Sequence, residues 1–259
     1  MSGAVVTPSG GAVKPLTRGG EVSPRPRRFT CVTSADRDPA PAPGLRAATG
    51  VFVCFEGGDG GGKSTQSRLL VERLEREGYD AVPTFEPGDT PVGRELRRIV
   101  LDPATGHLAA RTEALLYVAD KAEHVAEVVR PALDRGAVVV TDRYVDSTLA
   151  YQGAGRALGD AVAGLEHVAR WATGDLRPHL TVVLDVRPGA GLARLTGRDR
   201  IEAESVEFHE RVRAEFLALA AADPAHYLVV DATGTREEIA EAVWARVAPL
   251  LVQARQEAR

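Results

Sequence analysis

Eight consecutive residues combine a permissive backbone, one cation and one hydroxyl in a spacing suited to holding phosphate: Gly57-Gly58-Asp59-Gly60-Gly61-Gly62-Lys63-Ser64. The pattern is G-x-x-x-x-G-K-[ST]. Its glycines let successive amide hydrogens wrap around phosphate oxygens, its lysine reaches the β- and γ-phosphates of a nucleoside triphosphate, and its hydroxyl can ligate Mg²⁺. Thr65 extends the stretch into the first turn of a helix, whose N-terminus adds positive potential. The chain has only three lysines against 29 arginines, so the compact ammonium at 63 stands against its own bias.

Two further groups can serve phosphoryl chemistry. Asp142-Arg143-Tyr144 closes an apolar run and leads into Ser147-Thr148-Leu149-Ala150-Tyr151-Gln152-Gly153. A guanidinium there can clamp a phosphate bidentately, and the carboxylate of Asp142 suits Mg²⁺ or its waters. Arg194, Arg198 and Arg200 lie in a charged stretch, 194–204. No basic residue stands between Gly57 and Gly62, so cations that stabilise a migrating phosphoryl group must come from elsewhere in the chain.

The positioning elements are legible around these residues. Val51 to Glu56 reads as a strand ending in the glycine cluster, and Ser64 to Glu77 as a helix with Leu69, Leu70 and Leu74 on one face. Further strands are expected at Ala81 to Phe85, Ala137 to Thr141, Leu180 to Val186 and Tyr227 to Asp231. Helices are expected at about Val92 to Leu101, Thr112 to Leu133, Asp160 to Thr173, Gly189 into the 194–204 stretch, Val206 to Ala222 and Glu237 to Gln253. Five strands alternating with helices predict an α/β fold of three layers, a five-stranded parallel sheet flanked by helices. Arg143 then lies past the carboxyl end of a parallel strand, where open α/β sheets bind ligands.

Composition bounds the rest. The 259 residues carry 32 Lys+Arg against 36 Asp+Glu, but residues 1–50 hold a net +4, seven Gly and seven of the sixteen Pro, which leaves −8 on the remainder. Residues 1–48 read as a disordered Pro/Gly/Arg-rich extension, 49–254 as the folded domain and 255–259 as a C-terminal tail. The leader is also compatible with a targeting peptide or an upstream start codon. No apolar run reaches membrane-spanning length, an acidic body does not suit nucleic-acid backbones, and two cysteines build no disulfide framework, so the expectation is a cytoplasmic protein without membrane or nucleic-acid partners. The guanine-reading Asn-Lys-x-Asp and the transporter signature Leu-Ser-Gly-Gly-Gln are both missing.

Four segments, FEGGDGGGKSTQ (Phe55 to Gln66), EPGDTPVGRELR (Glu86 to Arg97), DRYVDSTLAYQG (Asp142 to Gly153) and DRIEAESVEFHERVR (Asp199 to Arg213), give the chain, over about residues 51 to 251, a resemblance to bacterial thymidylate kinases. The resemblance implies transfer of the ATP γ-phosphoryl group to dTMP, Mg²⁺ as cofactor, a homodimer, and a short arginine-containing lid that brings Arg194, Arg198 and Arg200 over the migrating group on closure. It implies that Arg143 and Arg97 serve the acceptor nucleotide, that Asp59 faces its 3′-hydroxyl, that Glu86 and Ser147 lie in its site, and that Tyr117 stacks on thymine while Lys121 reaches its O4. Gln152 and Thr148 match positions reading the thymine edge, and Tyr151 packs near the sugar. Departures are Phe85 and Lys121 where the family commonly has arginine, Asp89 in place of glycine, and a lid about three residues shorter than in some relatives. Two other readings stay open at this point: a deoxynucleoside kinase of the same fold, and a non-catalytic nucleotide-dependent switch.

Overall fold

A computed structural model describes residues 46–257 other than 48 and 160; the extension expected over 1–48 lies outside these, apart from 46 and 47. The central strand is β1 (Val51–Glu56), followed by α1 (Lys63–Arg76), β2 (Ala81–Phe85) and α2 (Pro91–Leu101). A long helical stretch comes next, α3 (Ala110–His124), a π-helical turn at Val125–Val129, and α4 (Arg130–Asp134). Then follow β3 (Val138–Asp142), α5 (Val145–Ser147) continuing as π-helix over Thr148–Gly155, α6 (Ala161–Ala172), β4 (Leu180–Asp185), α7 (Pro188–Leu192), α8 (Val206–Ala222), β5 (Tyr227–Asp231) and α9 (Arg236–Glu257).

All pairings in the sheet are parallel and the strand order is β2-β3-β1-β4-β5. Alternation along β1 sorts its side chains into two cores. Val51, Val53 and Phe55 pack with Leu70 and Leu74 of α1 and Val243 and Val247 of α9. Phe52 and Cys54 pack on the opposite face with Val118 of α3, Leu149 of the π-helix and Ala169 of α6. A strand buried on both faces needs apolar residues at every position, which is why β1, β3 and β4 read as unbroken apolar runs. A third cluster, Tyr151, Val183, Ile201, Phe208 and Phe216, fastens α8 to the π-helix and the segment before it.

The expected architecture is present, with four local differences. The segment from Val145 to Gly155 is helical; it is buried on nearly all sides, Leu149 in one cluster and Ala150 and Tyr151 in another, so it shows no single apolar face. The helix begun at Gly189 does not enter the charged stretch, because Asp199 Oδ1 accepts from the amides of Ile201 and Glu202, both at 2.8 Å, and closes a turn instead. The expected helix over Thr112 to Leu133 contains the π turn. The last helix runs to Glu257, past the expected tail boundary, with the Arg255 guanidinium 4.0 Å from the Tyr79 ring.

Gly57 joins β1 to the loop with φ +126, and a Cβ there would lie 2.4 Å from the Leu184 carbonyl oxygen of β4. Neither the conformation nor the backbone contact tolerates a side chain. Gly57→Ala should therefore destabilise the fold by about 2–4 kcal/mol and lower Tm by roughly 5–10 °C in a thermal melt; an unchanged Tm would contradict this packing.

Candidate functional site

The loop between β1 and α1 forms one wall of a cavity of about 890 Å³ at the carboxyl ends of the strands. α1 starts at Gly62 in a left-handed conformation with no side-chain cap and no acid in its first turn. By contrast α2 and α8 are capped by Thr90 and Ser205. The first amides of α1 thus keep their capacity for an anion. The Lys63 ammonium, buried at this end, donates to the carbonyls of Gly57 and Gly58 at 3.1 and 2.9 Å. Burial and the nearby Arg143 cation hold it below the usual lysine range. Ser64 Oγ donates to Asp142 Oδ2 at 2.5 Å, while Asp142 Oδ1 is buried without a hydrogen-bond partner.

Arg143 stands just past β3 with φ +74, an uncommon conformation for a side-chain-bearing residue, its amide held by the Phe55 carbonyl at 2.9 Å. Its guanidinium reaches Asp59 of the loop, Ser147 Oγ at 3.0 Å and Tyr151 Oη at 3.1 Å. Tyr151 also donates to Asp59 at 2.8 Å. Burial alone would raise the Asp59 pKa, but the Arg143 and Lys63 cations and the Tyr151 hydrogen bond outweigh it and hold the carboxyl below its ordinary range. Glu56, fully buried, accepts from the Tyr144 amide at 2.8 Å, the Ser147 amide at 3.1 Å and Ser147 Oγ at 2.6 Å. It thereby caps the start of α5 and turns Ser147 toward Arg143.

The opposite wall comes from α3. Glu113, Tyr117 and Lys121 recur every four residues and share one helical face. Lys121 pairs with Glu86 at 2.8 Å, and His124 Nδ1 lies 2.7 Å from the same carboxylate. His124 Nε2 meets Thr84 Oγ1 at 2.5 Å, and Thr84 in turn donates to Asp89 at 2.5 Å. Asp120, pushed up to about 6 by burial and by the Glu86 charge, accepts from the Gly88 amide at 3.0 Å. Arg97 donates to the Pro87 carbonyl at 2.7 Å and lies over the Phe85 ring at 5.8 Å.

Of the residues singled out in the sequence, Asp59, Gly60, Gly62, Lys63, Ser64, Thr65, Glu86, Arg97, Tyr117, Lys121, Asp142, Arg143, Ser147, Tyr151, Gln152 and Arg194 line this one cavity. Gly57, Gly58 and Gly61 contribute backbone behind it. Thr148 is fully buried in its helix, its Oγ1 without a partner. Arg194 reaches the Gly60 carbonyl at 3.1 Å. Arg198 is exposed, and Arg200 is turned away from the loop to Glu113 at 2.5 Å and the Val100 carbonyl at 2.9 Å. Glu56, Glu113, His124, Arg156 and His209 escaped the sequence reading. Only Glu113 carried a visible signal, its four-residue spacing from Tyr117. His209 Nδ1 lies 3.9 Å from Asp59, and it comes from a helix more than a hundred residues away in sequence.

A family model for thymidylate kinase matches residues 55–243. The chain belongs to the thymidylate kinase family. The thymidylate kinase of Cutibacterium acnes is 56% identical over 202 residues, covering 78% of this chain and 98% of that protein. The thymidylate kinase of Clavibacter sepedonicus is 56% identical over 207 residues, covering 78% and 97% respectively. Among solved structures, thymidylate kinase from Ehrlichia chaffeensis superposes with a TM-score of 0.64 at 28% identity, over 76% of this chain and 98% of that one.

Burial first and the Asp146 carboxylate second push Glu56 up to about 7. A carboxyl whose folded pKa is raised keeps its proton where the unfolded chain has lost it, so stability falls as pH rises from about 4.5 to 7 and then levels. Across that window the wild type should lose about 3 kcal/mol relative to Glu56→Gln, which cannot ionise. Urea unfolding of both proteins at pH 5, 6, 7 and 8 reads the difference, and parallel curves would contradict it.

Proposed function

We propose that this member of the family is a dTMP kinase, transferring the ATP γ-phosphoryl group to the phosphate of dTMP to give dTDP and ADP, with Arg143 binding the acceptor phosphate. The observation that carries the reading is that Lys63 and Arg143, the latter paired with Asp59, line one cavity together with Tyr117 and Lys121 of α3. Lys63 and the uncapped start of α1 take the donor phosphates. Tyr117 supplies a face for the pyrimidine, Lys121 a donor for its O4, and Asp59 with Tyr151 the partners for the sugar hydroxyl. Ser147 and Arg97 complete the acceptor side, and Glu86 holds Lys121 in place.

The acceptor phosphate oxygen is already anionic, so no side chain need act as a strong base; positioning and charge stabilisation supply the catalysis. Arg194 is the lid cation placed against the loop. Arg198 and Arg200 are assigned to the same electrostatic role on closure, which would require Arg200 to leave Glu113.

Ser64 and Asp142 suit Mg²⁺. Both offer hard oxygens, Asp142 Oδ1 is buried without a partner, and Mg²⁺ in such sites takes one or two protein oxygens with phosphates and waters. The ion would neutralise charge on the transferring phosphates. Among the described residues no cluster of three His, Cys, Asp or Glu is placed to hold a metal by protein ligands alone. The reading also includes a homodimer, for which exposed Leu115 of α3 and Trp171 of α6 are large apolar side chains available for cover. It includes a cytoplasmic setting, in keeping with the free, buried Cys54. No helix among the described residues is long and apolar enough to cross a membrane.

In a coupled ADP-release assay, dTMP should be used in preference to dCMP, dGMP and AMP, and Lys63→Ala should lower kcat/KM by about a thousandfold. Thymidine turned over faster than dTMP would indicate a deoxynucleoside kinase, and ATP binding without dTMP-stimulated turnover a switch.

A further inference from the structure

Glu113 is wholly buried in the first turn of α3, one turn before Tyr117. Its carboxylate receives Gln152 Nε2 at 3.1 Å, Arg156 Nε at 3.0 Å and Nη2 at 2.9 Å, and Arg200 Nη2 at 2.5 Å. Burial favours the protonated acid, but the hydrogen bonds from Arg156, Gln152 and Arg200 prevail and hold the carboxyl below its ordinary range. An ionised carboxylate only accepts. The Gln152 amide must therefore turn its NH₂ to Glu113, and its carbonyl Oε1 is the end left to the cavity that Gln152 lines.

We propose that Glu113 is a positioning residue for base selection: by accepting from Gln152 Nε2 it commits Gln152 Oε1, an acceptor, to the edge of the acceptor base. The inference rests on dTMP being the acceptor nucleotide. Lys121 on the same wall can only donate. Donor beside acceptor complements O4 beside N3–H of thymine, and it opposes the amino group beside the N3 lone pair of cytosine. A mismatched pair in a closed site leaves polar groups unpaired, which is the strongest form of rejection a pocket offers. Uracil presents the same edge as thymine, so Glu113 does not separate dTMP from dUMP. A free glutamine could rotate its amide and meet N3 of either base, leaving Lys121 alone to discriminate; the buried carboxylate removes that choice.

The test compares kcat/KM for dTMP and dCMP in the wild type, Glu113→Gln, Gln152→Leu, Arg156→Ala and the double variant Glu113→Gln/Gln152→Glu. Glu113→Gln frees the amide, so the dTMP:dCMP ratio should fall about tenfold or more. Loss of the partner of Arg156 and Arg200 should also slow both substrates, but equally, so the ratio is the readout. Arg156→Ala, which loosens the same cluster without touching the amide, should leave the ratio unchanged. The double variant keeps the charge in the cluster and again presents an acceptor from position 152, so it should restore the ratio to within about threefold. Should Glu113→Gln not fold, that double variant carries the test, and loss of dTMP preference in it overturns the proposal. A ratio lowered by Gln152→Leu but not by Glu113→Gln overturns the role of Glu113 and leaves the dTMP reading intact. A ratio moved by neither removes Gln152 from the base edge and overturns the proposal. A wild type that does not phosphorylate dTMP overturns the functional reading itself.

Discussion

The guanidinium of Arg143 is held by groups from two separate parts of the chain: Asp59 from the loop after β1, and Ser147 and Tyr151 from successive turns of the helix that follows β3, with Glu56 at the end of β1 bracing Ser147. A cation partly withdrawn from water costs several kcal/mol unless its partners are fixed beforehand. Here they are fixed by the sheet, since β1 and β3 are hydrogen-bonded neighbours and Phe55 is paired with Asp142 in register. The left-handed backbone at Arg143 turns the chain so that the next helix starts over Glu56.

Glu56 and Glu113 are buried carboxylates of a different kind, because neither faces the open cavity. Each receives hydrogen bonds from several partners and so converts flexible side chains into fixed ones. Their burial carries a cost in stability, and the return is geometric: Glu56 orients Ser147 and thereby Arg143, while Glu113 ties α3, the end of the π-helix and the 194–204 segment into one unit. The 194–204 segment is accordingly pinned by Arg200 toward α3, and of its three arginines Arg194 is the one that reaches the loop.

The fold was legible because its strands and helices obey simple periods and end at glycine or proline. The phosphate loop was legible because local sequence alone builds it. The helix at Val145 to Gly155 was not, since its polar residues, buried against a site, break the amphipathic pattern. Long-range partners were the other blind spot. Glu56 read as the end of an apolar strand, and nothing in VFVCFE signals that its carboxylate meets Ser147 across the sheet. His124 looked like a helix residue among others, although Thr84 and Glu86 both converge on it. Arg200 belonged to a row of lid arginines by spacing, yet tertiary packing turned it to Glu113. Sequence proximity grouped the arginines; buried charge sorted them.

The account stands on Arg143 being a preformed phosphate contact rather than a structural cation. Calorimetric titration of dTMP and of thymidine into the wild type and Arg143→Ala tests this most directly, because the two ligands differ only in the phosphate. The wild type should bind dTMP at least about a hundredfold more tightly than thymidine, and the substitution should erase most of that difference while changing thymidine affinity little. An advantage of dTMP over thymidine that survives in Arg143→Ala would contradict the account.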